Sequence, residues 1–331
     1  MSSVSIYTIH DFTKLNMPII DVRSEGEFEQ GHVVGACNIA LLNNDERKEV
    51  GICYKQKGNY EAVLLGYELA GNKFKGYIQK VLEIAPQKSI SVYCFRGGLR
   101  SRIMCDLFLT AGFSVARLSG GYKAYRNYVL NTLALPKNIN ILGGYTGSQK
   151  TEKLYELKLN GHQVIDLEKL AKHKGSAYGG IGQEAQPTTE QFENLLAYEW
   201  QKIDPIKPLW LEDESSKIGK ISIPKSIYIQ MRESRLVKVM VEIEKRIDFI
   251  LNTYGKMPTE ELYNATQKLQ RRLGNEQCTI ALNHLQNGEL REWLSIILMY
   301  YDKTYNHGNS LRDPNKVETI AEADFYKKYL A

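Results

Sequence analysis

The stretch Tyr93-Cys94-Phe95-Arg96-Gly97-Gly98-Leu99-Arg100-Ser101 constrains this chain most. Ile90 to Tyr93 is an apolar run of strand character, and Ser101 to Ala111 carries its apolar residues at helical spacing, so Cys94 falls in the turn between strand and helix. In such a turn Gly97 and Gly98 let backbone N–H groups point inward, the helix N-terminus adds a partial positive charge, and Arg96 and Arg100 flank the loop. An anion or a thiolate is stabilised there, which makes Cys94 the candidate nucleophile. The blander reading, a buried cysteine acting as a small hydrophobe, leaves the glycines and arginines unexplained.

Five residues separate Cys94 from Arg100. The ring of amides is therefore closer in size to the phosphate cradle of cysteine phosphatases than to the tighter loop of most sulfurtransferases, and a tetrahedral phosphorus group should fit.

At 331 residues the chain is long enough for two domains, each with its own core. An apolar content of 43% and a charged content of 24% are those of a globular protein, and exclude a disordered chain. A net charge of +5 permits a polyanionic partner without demanding one. The segment Met1-Ser2-Ser3-Val4-Ser5 has no charged region followed by an apolar one, and no run approaches a membrane span, so a cytoplasmic protein with no membrane partner is expected. Cys37, Cys53, Cys94, Cys105 and Cys278 are odd in number and lack paired spacing, which points to neither a disulfide framework nor a zinc site, and no metal ligand set is expected.

Before the cysteine loop, Met17 to Val22 is an apolar run ending in Asp21 and Arg23, and Ser24-Glu25-Gly26-Glu27 supplies a capping box. His32, in a Gly-flanked turn, reads as a scaffold residue. Helical patterns cover Asn44 to Lys55, Tyr60 to Ala70 and Phe74 to Ile84; Val115 to Leu118 reads as a strand, Gly120-Gly121 as its turn and Tyr122 to Leu133 as a closing helix. Strands alternating with helices give a parallel sheet with Cys94 at a strand's carboxyl end. Asp21-Val22-Arg23-Ser24, Glu27-Phe28, Gly31-His32, Gly35-Ala36 and the Cys94 loop resemble a rhodanese domain. Leu41-Leu42-Asn43-Asn44, Glu49-Val50-Gly51 and Tyr54-Lys55-Gln56, taken with that loop, resemble more particularly the bacterial tRNA 2-selenouridine synthase family, in which a rhodanese domain precedes a P-loop domain.

The second half bears on that resemblance independently. After a linker, Leu135-Pro136-Lys137-Asn138, a strand from Ile139 to Leu142 runs into Gly143-Gly144-Tyr145-Thr146-Gly147-Ser148-Gln149-Lys150-Thr151, with a helix from Glu152 to Leu159 behind it. Gly144, Gly147, Lys150 and Thr151 fit a phosphate loop: amides for phosphate oxygens, Lys150 for their charge, and the Thr151 hydroxyl for Mg²⁺. Gln149 stands where the motif has glycine. A side chain there narrows the cradle or alters its backbone angles, so a diphosphate suits the loop and a role for ATP stays open. Asp166, at the end of a strand from Gln163, and Glu212, after the apolar Leu209-Trp210-Leu211, are further candidates for the same ligand. Glu212 holds the Walker B position, with an acidic solvated turn as the alternative. Val237 to Val241 and Glu242 to Leu251, which carries Arg246, read as strand and helix; three helical patterns follow from Pro258 to Lys303. The fold expected is α/β: a rhodanese-like parallel-sheet domain over 1–134, then a P-loop NTPase-like α/β domain over 135–331 with a helical C-terminal extension from about residue 256.

The resemblance implies a two-step exchange on the wobble uridine of tRNA. Geranyl diphosphate first alkylates the sulfur of 2-thiouridine, and selenium from selenophosphate then replaces the geranylated sulfur. It implies Cys94, Arg96 and Arg100 as the selenium-handling residues, the phosphate loop as the diphosphate site, tRNA with a 2-thiouridine-containing anticodon loop as partner, and a further partner that supplies selenophosphate. The basic residues Lys217, Lys220, Lys225, Arg232 and Arg235, and after them Lys268, Arg271 and Arg272, are candidates for tRNA contact, with a solvated surface as the alternative. The competing readings are a rhodanese-type sulfurtransferase or cysteine phosphatase fused to a nucleotide-binding domain, and a tRNA-docking scaffold beside a redox-sensing Cys94. Tyr93 in place of histidine before the nucleophile weakens the phosphatase reading.

Overall fold

The computed structural model describes residues 3–255 and 257–330, with the side chain of Tyr254 left out; Met1, Ser2, Lys256 and Ala331 lie outside the described residues. The chain separates into two compact units: the residues up to Thr132 together with Glu193–Tyr198, and Leu133–Phe192 together with the residues from Glu199 on.

In the first unit β1 (Ser5–Tyr7), β2 (Ile19–Asp21), β3 (Ala36–Asn38), β4 (Ser89–Tyr93) and β5 (Ser114–Leu118) form one parallel sheet in the order β1-β5-β4-β2-β3. β4 is central and buried from Ile90 to Tyr93, and the fully buried side chain of Ser91 donates to the Pro18 carbonyl at 3.3 Å. Its neighbours leave in opposite directions, β5 on one side and β2 on the other, so the turn after Tyr93 opens at a switch point of the sheet. The expected helices are present as Asn44–Lys57, Asn59–Gly71, Phe74–Ile84, Leu99–Thr110 and Gly121–Ala134. Ile20, Val81, Val92, Met104 and Phe108 form the centre of the core.

The second unit repeats the logic with β6 (Ile139–Gly143), β7 (Gln163–Val164), β8 (Leu209–Glu212), β11 (Arg235–Met240) and β12 (Val317–Ala321), all parallel, in the order β12-β11-β6-β8-β7. A separate hairpin pairs β9 (Lys217–Ile218) with β10 (Ile221–Ser222). β6 sits at the switch point, with β11 and β8 on either side. The expected strand from Gln163 is shorter than its apolar pattern, because Asp166 already serves as the N-cap of the helix Leu167–Ala171. Beyond β11 the helices Ile243–Tyr254, Thr259–Lys268, Asn275–Gln286 and Leu290–Ser310 pack around Leu262, Ala281, Trp293 and Ile297. The C-terminal region holds one feature the helical patterns pass over: β12 adds an edge strand to the sheet, followed by the helix Glu322–Tyr329. Among the described residues no helix is long and apolar enough to cross a membrane.

Candidate functional site

In the first unit the Cys94 loop is held from behind. The backbone N–H groups of Tyr122 and Lys123 donate to the carbonyls of Cys94 and Phe95 at 2.8 and 3.0 Å. This close approach requires Gly121, because a Cβ there would run into the Cys94 carbonyl and the Gly97 nitrogen. Cys94 is almost fully buried; its thiol donates to Ser101 Oγ at 3.2 Å, and Ser101 Oγ donates to the carbonyl of Gly98 at 3.0 Å. Gly98 is the N-cap of the helix Leu99–Thr110, so the helix dipole bears on this loop as the sequence implies.

The two arginines that flank the loop have different partners. Arg96 is exposed and lies over the Phe95 ring, 5.7 Å from its centroid. Arg100 instead grips Glu27, with Nη1–Oε2 at 2.6 Å and Nη2–Oε1 at 3.3 Å, and Arg47 Nε reaches the same carboxylate at 2.9 Å. Burial alone would raise the Glu27 carboxyl, but the bonds and charges of Arg100 and Arg47 outweigh it and hold the group below the usual carboxylate range. The Asp21-Val22-Arg23 motif is scaffold: Arg23 Nη2 meets Asp21 Oδ2 and the Gly31 carbonyl, each at 2.6 Å, and the guanidinium lies 3.8 Å from the Tyr122 ring centroid. His32 is also scaffold, with Nδ1 2.9 Å from the Phe28 carbonyl oxygen and its ring stacked on Phe28 at 3.9 Å. Burial lowers its pKa.

In the second unit the turn after β6 delivers the phosphate loop to the helix Lys150–Leu159. Gly147 has φ +82° and packs against Arg246 and Ile250, where a side chain would have no room. Gln149 has φ +58° and ψ +41°, the left-handed conformation that glycine adopts at no steric cost. The substitution therefore keeps a glycine-like backbone. Lys150 Nζ bonds the Gly144 carbonyl at 3.2 Å, pairs with Glu212 at 3.5 Å and sits 5.4 Å from the Tyr305 ring centroid. Burial would lower the Lys150 ammonium, but Tyr305 and the surrounding glutamates raise it, so it stays charged. Thr151 Oγ1 lies 3.4 Å from both Glu168 Oε2 and Glu212 Oε2.

Oxygens of Glu168, Glu212 and Glu214 all lie within 4.8 Å of one another. Burial raises all three carboxyls; nearby carboxylates add to it, Glu212 for Glu168 and Glu214, and Asp166 for Glu212, and Glu168 is pushed up to about 8. Three carboxylates held together in this way suit a hard divalent cation with oxygen ligands. Of this set only Glu212 is among the acids nominated from the sequence; Glu168 and Glu214 each stand two positions from a nominated acid, Asp166 and Glu212, and that spacing was the available signal. Asp166 itself accepts from Lys169 N at 2.8 Å as a helix cap, and also faces the cavity described next.

A cavity of about 660 Å³ joins these groups to an apolar wall. Its lining includes Lys150, Thr151 and the three glutamates, together with Phe249, Ile250, Trp293, Leu294, Ile297 and Leu298. Buried Arg246 ties the loop to the helix Leu290–Ser310, with Nε on the Thr146 carbonyl at 2.8 Å and both terminal nitrogens on Asp302 at 2.9 and 2.7 Å.

Comparison with known proteins gives two matching family models: a rhodanese-like domain over residues 9–128, and a tRNA 2-selenouridine synthase AAA domain over residues 137–327. A tRNA 2-selenouridine synthase of Hydrogenovibrio crunogenus is 34% identical, over 97% of this chain and 98% of its own. The chain belongs to the tRNA 2-selenouridine synthase family. A relative of the same name from Sulfurovum sp. strain NBC37-1 is 37% identical over 88% of each chain, and one from Bdellovibrio bacteriovorus is 40% identical over 72% of this chain and 65% of its own.

Within this family member the basic residues nominated for tRNA divide. Lys217, Lys220 and Lys225 are exposed. Arg232 donates to the Gly308 carbonyl at 2.8 Å and lines the cavity, and Arg235 pairs with Glu318 at 2.5 Å. Of the second group, Lys268 and Arg271 are exposed and Arg272 borders the cavity.

Proposed function

We propose that this protein makes 2-selenouridine at the wobble position of tRNA in two steps, geranylating 2-thiouridine from geranyl diphosphate and then replacing the geranylated sulfur with selenium from selenophosphate. The observation that carries the first step is the composition of the cavity: a phosphate loop and a buried lysine share its lining with aromatic and aliphatic side chains. Such a site suits an anionic head with an apolar tail. The thiocarbonyl sulfur attacks the first carbon of the prenyl group, the carbon–oxygen bond breaks, and the electron pair leaves on the diphosphate. Lys150 and the loop amides offset that charge. Mg²⁺ fits Glu168, Glu212 and Glu214 with Thr151 beside them, and would add charge neutralisation at the same head group.

Alkylation turns a poor leaving group into a thiol, and the second step exploits it. Selenium in selenophosphate is already at the selenide level, so accepting it on sulfur as a selenosulfide would require an oxidant. Attack of the Cys94 thiolate on phosphorus requires none: the sulfur–phosphorus bond forms, the phosphorus–selenium bond breaks, selenide is released to displace the geranyl thiol, and water then frees phosphate from Cys94. The loop amides and the Leu99–Thr110 helix N-terminus stabilise both anions, with exposed Arg96 in reach of solvent-borne selenophosphate.

Nucleoside mass spectrometry of tRNA treated with purified variants tests the assignment. Cys94→Ser is expected to accumulate geranylated 2-thiouridine without selenouridine, and Lys150→Ala to slow geranylation by about a hundredfold, the loss typical of one oxyanion contact. Selenouridine at wild-type level from Cys94→Ser would remove the cysteine from the mechanism.

A further inference from the structure

We infer that Trp293 and Tyr178 close the far end of the cavity and set the length of the prenyl chain this protein accepts, an inference that rests on the reading of a prenyl diphosphate as donor. The helix Leu290–Ser310 runs along the cavity and presents Trp293, Ile297, Tyr301 and Tyr305 to it at a spacing of four, one face of an α-helix. Tyr305 marks the anionic end, since its ring centroid lies 5.4 Å from Lys150 Nζ. Trp293 stands twelve residues earlier, about 18 Å away at 1.5 Å per residue.

Trp293 is a fixed stop rather than a movable side chain. It is 2% exposed, and its Nε1 donates to Thr266 Oγ1 at 3.1 Å. The same hydroxyl lies 2.9 Å from Tyr178 Oη and donates to the Leu262 carbonyl at 2.8 Å. The two rings meet edge to face with centroids 5.5 Å apart. Thr266 satisfies both polar tips, so the rings can border an apolar space without leaving a buried donor unpaired. A diphosphate with an extended geranyl chain spans about 15 Å, and each further isoprene unit adds about 5 Å, from carbon–carbon bonds near 1.5 Å. Geranyl diphosphate, at about 15 Å, fits within the roughly 18 Å to Trp293, and farnesyl diphosphate, at about 20 Å, exceeds it.

The test offers the full-length protein equal concentrations of dimethylallyl, geranyl and farnesyl diphosphate with a 2-thiouridine-containing anticodon stem-loop, and reads the prenylated nucleosides by mass spectrometry. Wild-type protein is expected to prefer geranyl. Trp293→Leu and Tyr178→Leu open the wall, and each should raise the farnesyl-to-geranyl ratio at least tenfold. Ile297→Trp, which places a ring one helical turn, about 6 Å, short of Trp293, should lower geranyl transfer and favour dimethylallyl. Three variants at two depths keep the result independent of any one that fails to fold, and far-ultraviolet circular dichroism identifies those that do fold. Folded variants with the wild-type ratio overturn the length stop while leaving the donor reading intact. Wild-type protein that transfers no prenyl group from any of the three overturns the donor reading, and the stop with it.

Discussion

Arg100 donates to both carboxylate oxygens of Glu27, at 2.6 and 3.3 Å, so the second arginine of the Cys94 loop carries its charge as half of an ion pair. Glu27 is at once the acidic member of the capping box that Ser24 opens and the clamp on this loop. The first helix after β2 is thereby tied to the helix that follows Cys94.

That pair has a pH signature. The folded-state pKa of Glu27 lies below its ordinary value, so its contribution to stability is complete above the unfolded-state value, roughly pH 4.3, and is lost as pH falls through the lower folded value. Glu27→Gln is expected to cost about 1–2 kcal/mol at neutral pH, between exposed and fully buried pairs. The gap from wild type should narrow below about pH 4. Urea unfolding across pH 3–7 measures it, and a gap independent of pH would assign the stabilisation to packing instead.

Gln149 offers a backbone test. Its left-handed conformation costs about 1–2 kcal/mol for a residue with a Cβ, and glycine gives back up to about 1 kcal/mol of that gain through its freer unfolded chain. Gln149→Gly should therefore leave stability unchanged or raise it by up to about 1 kcal/mol, while Gln149→Val, β-branched, should lower it by more than about 1 kcal/mol. Denaturant midpoints of the two variants check the ordering. Equal loss in both would mean the Gln149 side chain, not its backbone angle, supports the loop.

What could be read without coordinates was local. Cys94 and Lys150 each follow a short apolar run and precede a helical pattern, so strand, turn and helix are adjacent in sequence and their geometry is nearly implied. The grip of Arg100 on Glu27 joins residues 73 apart, and nothing in either segment announces it. The Tyr178, Thr266 and Trp293 cluster is drawn from three separate segments, and each member alone looks like an ordinary core residue. β12 escaped because Val317–Ala321 is a half-exposed edge strand that lacks a continuous apolar run. Asp166 was visible as an acid at a strand end, but its capping role depends on where the next helix begins.

The three clustered glutamates predict cation binding that depends on pH. Burial and the neighbouring Glu212 push the Glu168 carboxyl up to about 8, so at neutral pH a divalent cation must displace a proton there. Mg²⁺ affinity should rise as pH increases from about 7 to 9, with proton release, and Glu168→Gln should weaken binding and flatten the dependence. Calorimetry in buffers of differing ionisation enthalpy reads both. Affinity that does not change with pH would place the ion elsewhere.

Contact with tRNA should rest on side chains that have no other commitment. Arg232 and Arg235 are engaged by the Gly308 carbonyl and Glu318, whereas Lys217 and Lys220, on and beside the β9–β10 hairpin, and Lys225, at the start of the next helix, are exposed. Each phosphate contact releases counterions, and removing one lowers the slope of log affinity against log salt by about 0.7 to 0.9. Changing all three lysines to alanine is thus expected to reduce the slope by about 2 and to weaken binding across tRNA sequences alike, because phosphate contacts carry no base information. Circular dichroism identical to wild type would confine the effect to the surface. Filter binding of thiolated tRNA over a range of salt concentrations gives the slope directly, and one that matches wild type would show that the RNA lies on another face, with Lys268 and Arg271 the next residues to change.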